Sequence, residues 1–253
     1  MPRRARLKSR SGIYHVMIRG VNRQIIFKDD EDKGRLVWTL RKYKPISKYQ
    51  IFSYCLMNNH IHLLMKESEE GLSEAIKRIS SSYVYWYNTK YNRIGHLFQD
   101  RYKSENVEDR AYFLTVLRYI HQNPMKAGLA SDVFESTWTS ANQYIHPDTL
   151  VDIDFGLNLF SSDRSEAITM YKDFMQQSND DQCLEDMVKI RITDDEVMAH
   201  LRQLGVNNGN ILRQMKKNDR DAILEELRRL NHVSLSQIAR VTGISKSVIQ
   251  RLR

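Results

Sequence analysis

Apolar and polar positions change their spacing several times along this chain, and each change marks an element. Ile13–Arg19 (IYHVMIR) is a short, mostly apolar run that reads as a strand ending at Gly20. Residues 29–44 open with Asp29, Asp30, Glu31 and Asp32, carboxylates that favour the positive end of a helix dipole. Spaced apolar residues follow (Leu36, Val37, Leu40), which predicts a helix. Two apolar runs, 50–57 and 60–66, flank Asn58-Asn59 and predict a hairpin of buried strands. Leu72, Ala75, Ile79, Tyr83 and Tyr87 fall near helical spacing and predict a long helix over 71–91. Residues 95–107 (GHLFQDRYKSENV) predict a loop and a fourth strand, and 108–123 a helix stopped by Pro124. The resulting β-α-β-β-α-β order predicts an α+β domain with an antiparallel, ferredoxin-like sheet.

The pattern then weakens. Residues 145–163 (YIHPDTLVDIDFGLNLFSS) give few clear elements and are expected to run over the surface of the first domain, while from Asp163 the pattern is helical. The predicted division is a first domain over 1–145, a linker over 146–164 and an all-α domain over 165–253. The segment 234–253 is the most regular part of that tail. Ser234 and Ser245 are candidate helix caps, Ala239 permits close packing, Gly243 permits a turn, and Ile244, Ile249 and Leu252 supply a core. Helix, glycine turn, helix resembles a DNA-binding helix-turn-helix, whose second helix enters the major groove. Lys246, Ser247, Gln250, Arg251 and Arg253 then lie on or near its exposed side. The competing reading is the end of a helical bundle with basic, solvated residues.

Charge sharpens this picture. The chain has 39 basic against 31 acidic residues, a net +8 that favours a polyanionic partner. Its two cysteines, Cys55 and Cys183, are far apart, which excludes a disulfide framework and a cysteine zinc site and fits a reducing compartment. Apolar runs fall well short of the ~20 residues of a membrane span. The basic N-terminus lacks the apolar stretch of a signal peptide, so the expected location is cytoplasmic, with nucleoid association.

The candidate chemistry lies in His60-Ile61-His62 and in the helix end Tyr119-Ile120-His121-Gln122-Asn123-Pro124. Side chains alternate along a strand, so His60 and His62 share one face and Ile61, Leu63 and Met65 the other. Residues four apart share a helix face, so Tyr119 and Asn123 point the same way. Two imidazoles and an amide oxygen can hold a divalent metal, with a tyrosine hydroxyl one turn away. An HxH pair alone is weak support, because histidine is also an acceptable strand residue. Two histidines on one face are nevertheless hard to satisfy as core, since each needs hydrogen-bond partners.

MNNHIHLLMK, GHLFQDRYKS and YFLTVLRYIHQNPMKAGL together resemble the single-tyrosine HUH transposases, and most of all the branch associated with repetitive extragenic palindromes (REP). The similarity spans about residues 10–145. It implies a metal-dependent single-strand DNA endonuclease and strand transferase on a ferredoxin-like fold, cutting beside imperfect DNA hairpins as a monomer or homodimer. It further implies Tyr119 as nucleophile, with His60, His62 and Asn123 holding Mg2+ or Mn2+. Candidate DNA contacts are Arg3, Arg4, Arg6, Arg19, Arg23, Arg101 and Lys103, joined by Lys246, Ser247, Gln250 and Arg251 if the tail binds duplex DNA. Tyr112 competes with Tyr119 on the same helix side. Tyr83, Tyr85 and Tyr87 suit packing or base stacking, and His15 suits packing within the sheet. His121 points elsewhere on its helix, and His96 is a weaker DNA contact. A non-catalytic regulator of palindromic elements and an RNA-binding ferredoxin-like module are the alternatives. The RNA module is disfavoured because a Tyr-Ile-x-x-Asn-Pro helix is not expected there.

Overall fold

The computed structural model describes residues 7–99, 101–181, 183–184, 194–206, 211–230 and 233–251. The chain divides into two compact units, 1–185 and 186–253. In the first, β1 (Ile13–Arg19), β2 (Gln50–Met57), β3 (His60–Lys66) and β4 (Lys103–Asn106) form one sheet in the order β2-β3-β1-β4. Every neighbouring pair is antiparallel. Helix α1 (Asp30–Ser47) joins β1 to β2, and α2 (Leu72–Lys90) joins β3 to β4. After β4 comes α3 (Arg110–Lys126).

The acidic helix starts behave as their charge predicts. Asp29 and Asp109 accept from the backbone N–H groups of Asp32 and Tyr112, closing the first turns of α1 and α3. Each helix continues two residues beyond a proline, Pro45 in α1 and Pro124 in α3, although Pro124 was expected to stop α3. Pro45 and Pro124 each sit third from the helix end, where only a last-turn hydrogen bond is forfeited.

Alternation along the strands separates two faces. Ile18, opposite Ile61, shares a cleft wall with Ile76 and Val84, so that face meets α2, against which α1 packs. The other face meets α3, as the 5.3 Å edge-on contact of Phe52 with Phe113 indicates. At the end of β1, Gly20 is required by crowding: a Cβ there would lie 2.3 Å from the Gln24 carbonyl oxygen and 2.8 Å from Ile26.

Residues 146–176 depart from expectation. Leu150, Val151, Ile153 and Leu157 are buried in the first core, with a short helix α4 at Ile153–Leu157. The backbone N–H of Asp152 donates to Ile51 O, and its carboxylate accepts from the Ile51 N–H, so this stretch closes the outer edge of β2. Helix α5 (Arg164–Gln176) buries Ala167, Tyr171 and Met175 in the same core, so the boundary between units lies at 185, not in a linker at 146–164.

The second unit holds α6 (Asp194–Gln203), α7 (Ile211–Gln214), α8 (Lys217–Arg229), α9 (Leu235–Thr242) and α10 (Lys246–Gln250). Val197, Leu201, Leu224, Leu227, Ile238 and Ile249 form its core. Ser234 caps α9 by accepting from the Gln237 N–H. Gly243 takes the left-handed conformation between α9 and α10 at φ 69°, as its sequence position predicts. Ser245 occupies the N-cap of α10 without a side-chain capping bond.

Candidate active site

The face of β3 that carries His60 and His62 lies under α3. The His60 and His62 rings stand edge-on with centroids 4.9 Å apart, and the Tyr119 ring meets His62 edge-on at 5.6 Å. His15 completes the group, 5.1 Å from the His62 ring and 5.7 Å from that of Tyr119. The strand register explains the gathering: Arg19 pairs with His60, Met17 with His62, and His15 is two residues further along the same face of β1.

Burial sets the charge of this cluster. Desolvation pushes His15 down to about 3 and, with the nearby Arg19 charge, His60 down to about 4. His62 is held well below the ordinary imidazole range by burial first, then by His15, His60 and Arg19. The rings are therefore neutral at pH 7, the form that can donate a lone pair to a metal. His60 Nδ1 lies 2.7 Å from Asn59 Oδ1, while the amide nitrogen of Asn59 donates to Arg23 O at 3.3 Å. That orientation of the amide puts the His60 proton on Nδ1 and the lone pair on Nε2.

Tyr119 is buried, and Asn123 lies half-buried one turn later on α3. Among the described residues no group of three or more His, Cys, Asp or Glu is placed to hold a metal ion. A cation here would draw on the two imidazoles, the Asn123 amide and oxygens from outside the chain. The residues fit such an ion: neutral imidazoles on one face, with a half-buried amide on the helix above.

Arg19 belongs to the cluster in a way its sequence position did not announce. Burial lowers its pKa first, the Arg23 charge adds to this, and Tyr119 opposes them, so guanidinium and phenol are electrostatically coupled. The other candidates separate. Arg23, Arg101 and Lys103 are exposed. Arg101 lines a cleft of about 630 Å³ with Tyr85, His96 and Tyr102, beside α2. Lys246, Ser247, Gln250 and Arg251 are exposed on the second unit, and Arg3, Arg4 and Arg6 lie outside the described residues.

Of the competing tyrosines, Tyr83, Tyr87 and Tyr112 are engaged in hydrogen bonds within the fold. Tyr83 donates to Ile26 O at 2.6 Å, and burial raises its pKa, as it does that of Tyr112. Tyr87 donates to Ile25 O, and Tyr85 is exposed. His121 points away from the cluster, as its helix position predicts, and bridges Ser140 and Tyr171 at 2.9 Å each. His15 differs from expectation. It is packed in the sheet, yet its Nε2 lies 2.9 Å from His62 Nδ1, inside the cluster. Its parity with Arg19 was legible, but its partner depended on a register the sequence does not state.

Tyr119 on α3 thus lies across the paired histidines of an antiparallel sheet. Residues 8–123 match the family model described as IS200-like transposase. The chain is similar to a solved REP-associated tyrosine transposase bound to a REP hairpin, with a TM-score of 0.50 and 16% identity over 61% of this chain and 90% of that one. A protein of Deinococcus radiodurans R1 described as a transposase aligns over 51% of this chain and 99% of its own, at 15% identity and a TM-score of 0.34. At these identities the first likeness bears on the fold alone and the second carries no argument. No curated protein matches the chain. Among the described residues no helix is long and apolar enough to cross a membrane.

Proposed function

We propose that this protein is a metal-dependent single-strand DNA endonuclease and transposase that nicks and rejoins DNA beside REP-like hairpins. The observation that carries the reading is the packing of Tyr119 against His62 within 5.6 Å, in a domain that matches the IS200-like transposase family model. The β-α-β-β-α-β order with strands arranged β2-β3-β1-β4 supports the ferredoxin-like assignment.

In this reading Tyr119 is the nucleophile. Its hydroxyl loses a proton, and the phenolate oxygen bonds to phosphorus. The bond from phosphorus to the 3′ oxygen breaks, and that oxygen leaves as a 3′-hydroxyl after taking up a proton. Arg19 faces the same cluster and places a guanidinium charge near Tyr119. His60, His62 and Asn123 would hold Mg2+ or Mn2+, which would supply positive charge to the scissile phosphate and lower the barrier to attack. The 5′-phosphotyrosine keeps the energy of the broken bond, so a free 3′-hydroxyl can reverse the step without a nucleotide cofactor.

Arg23, Arg101 and Lys103 are proposed contacts to the DNA backbone, as are Arg3, Arg4 and Arg6 at the basic N-terminus. The α9-turn-α10 segment is proposed as a helix-turn-helix for duplex DNA, with Lys246, Ser247, Gln250 and Arg251 toward the groove.

The test is incubation of hairpin DNA labelled downstream of the cleavage site with the protein and Mn2+, resolved on a denaturing gel. Expected is a covalent protein–DNA adduct, lost on chelation and in Tyr119→Phe while hairpin affinity persists. An adduct that survives in Tyr119→Phe would refute the nucleophile assignment. Tight hairpin binding with no adduct at all would favour the non-catalytic regulator.

A further inference from the structure

The hydrogen bond between His62 Nδ1 and His15 Nε2, 2.9 Å long and fully buried, decides what His62 can offer on its other side. Two neutral imidazoles can share this bond in two ways. If His15 Nε2–H donates, the His62 proton sits on Nε2, where it blocks any ligand. If His62 Nδ1–H donates, His62 Nε2 presents a bare lone pair.

We propose that His15 is a positioning residue that accepts from His62 Nδ1–H, and so holds His62 in the tautomer and orientation needed to bind a divalent cation. The inference rests on the metal-dependent reading above. A metal-binding imidazole ordinarily donates its second N–H to an acceptor that fixes the ring, and here that acceptor is another imidazole. In this arrangement the His15 proton is on Nδ1, and His15 Nδ1 is a buried nitrogen without a hydrogen-bond partner among the described residues. A buried polar atom left unsatisfied asks for a reason other than stability. Directly opposite His15 across the β1–β4 pair is Glu105, whose Oε2 is likewise buried without a partner. The same carboxylate is engaged by the Tyr112 hydroxyl.

The protein to test is the full chain with two substitutions, His15→Phe, which keeps a ring but cannot accept, and His15→Gln, whose amide oxygen can. Mn2+ affinity measured by calorimetry is expected to fall about 10–100-fold in His15→Phe and to recover in part in His15→Gln. Thermal midpoint and hairpin affinity serve as checks of the fold. Ring-nitrogen NMR shifts of His62 give a readout independent of activity and of metal: the native protein should carry the proton on Nδ1, and His15→Phe should lose that preference. A native His62 protonated on Nε2, or unchanged Mn2+ affinity in a folded His15→Phe, would overturn the proposal. Native protein that binds no Mn2+ would refute the metal-dependent reading instead, and the His62 nitrogen shifts would still decide the direction of the bond.

Discussion

Acid should weaken the first unit through His121, by an amount that follows from its burial. The ring is wholly buried on α3 between Ser140 and Tyr171, and desolvation pushes its pKa to about 3. In the unfolded chain the same imidazole titrates near ~6.5. The folded state refuses a proton that the unfolded state accepts. Its contribution is therefore fully present above the unfolded value and is lost as pH falls from there toward the folded one. Between pH 7 and pH 5 one such group costs about 2 kcal/mol, approaching ~1.4 kcal/mol per pH unit. His121→Gln keeps a donor and an acceptor but does not titrate in this range. Urea unfolding at both pH values can be followed by tryptophan fluorescence, because Trp38, Trp86 and Trp138 all lie in the first unit. Whatever its stability at pH 7, the variant should lose about 2 kcal/mol less than the native protein on going to pH 5. Equal losses would refute the assignment of a neutral, proton-refusing His121.

Three further outcomes follow from specific contacts. Asp181→Ala strands the largely buried Arg118, whose guanidinium makes bonds of 2.8 and 3.0 Å to that carboxylate, and urea unfolding should register a loss of about 2–3 kcal/mol. Gly20→Ala forces a Cβ to within 2.3 Å of the Gln24 carbonyl, and thermal unfolding should show a cost of about 1–3 kcal/mol. With His60 pushed down to about 4, protons compete poorly for its lone pair. Calorimetric Mn2+ affinity should thus stay nearly flat from pH ~7.5 to ~5.5 and fall only below; a midpoint near ~6.5 would mean the imidazole is not desolvated.

What the sequence disclosed depends on how local each interaction is. The β2–β3 hairpin was legible because both strands are mostly apolar and meet at Asn58-Asn59, so pattern and turn chemistry agree. The nearness of His60 to His62 follows from period two alone. The stretch 145–163 was illegible because Leu150, Val151, Ile153 and Leu157 are buried by contact with distant elements and not through any repeating period of their own. The reach of α1 and α3 beyond Pro45 and Pro124 depends on how little a last turn loses to a missing N–H. Arg19 and His15 joined the cluster only when the β1–β3 register brought them opposite and diagonal to the histidine pair, a choice made by long-range pairing.

The intrachain packing of Tyr119 on His62 has a consequence for arithmetic and for inheritance. If Tyr119 is the nucleophile proposed above and acts on the histidines it packs against, each molecule holds one complete set of reactive groups and one covalent attachment point. Breaking two strands, or both ends of a segment, therefore calls for two molecules or two successive rounds. Two defective alleles, one lacking the tyrosine and the other a histidine, would have no means of restoring one another.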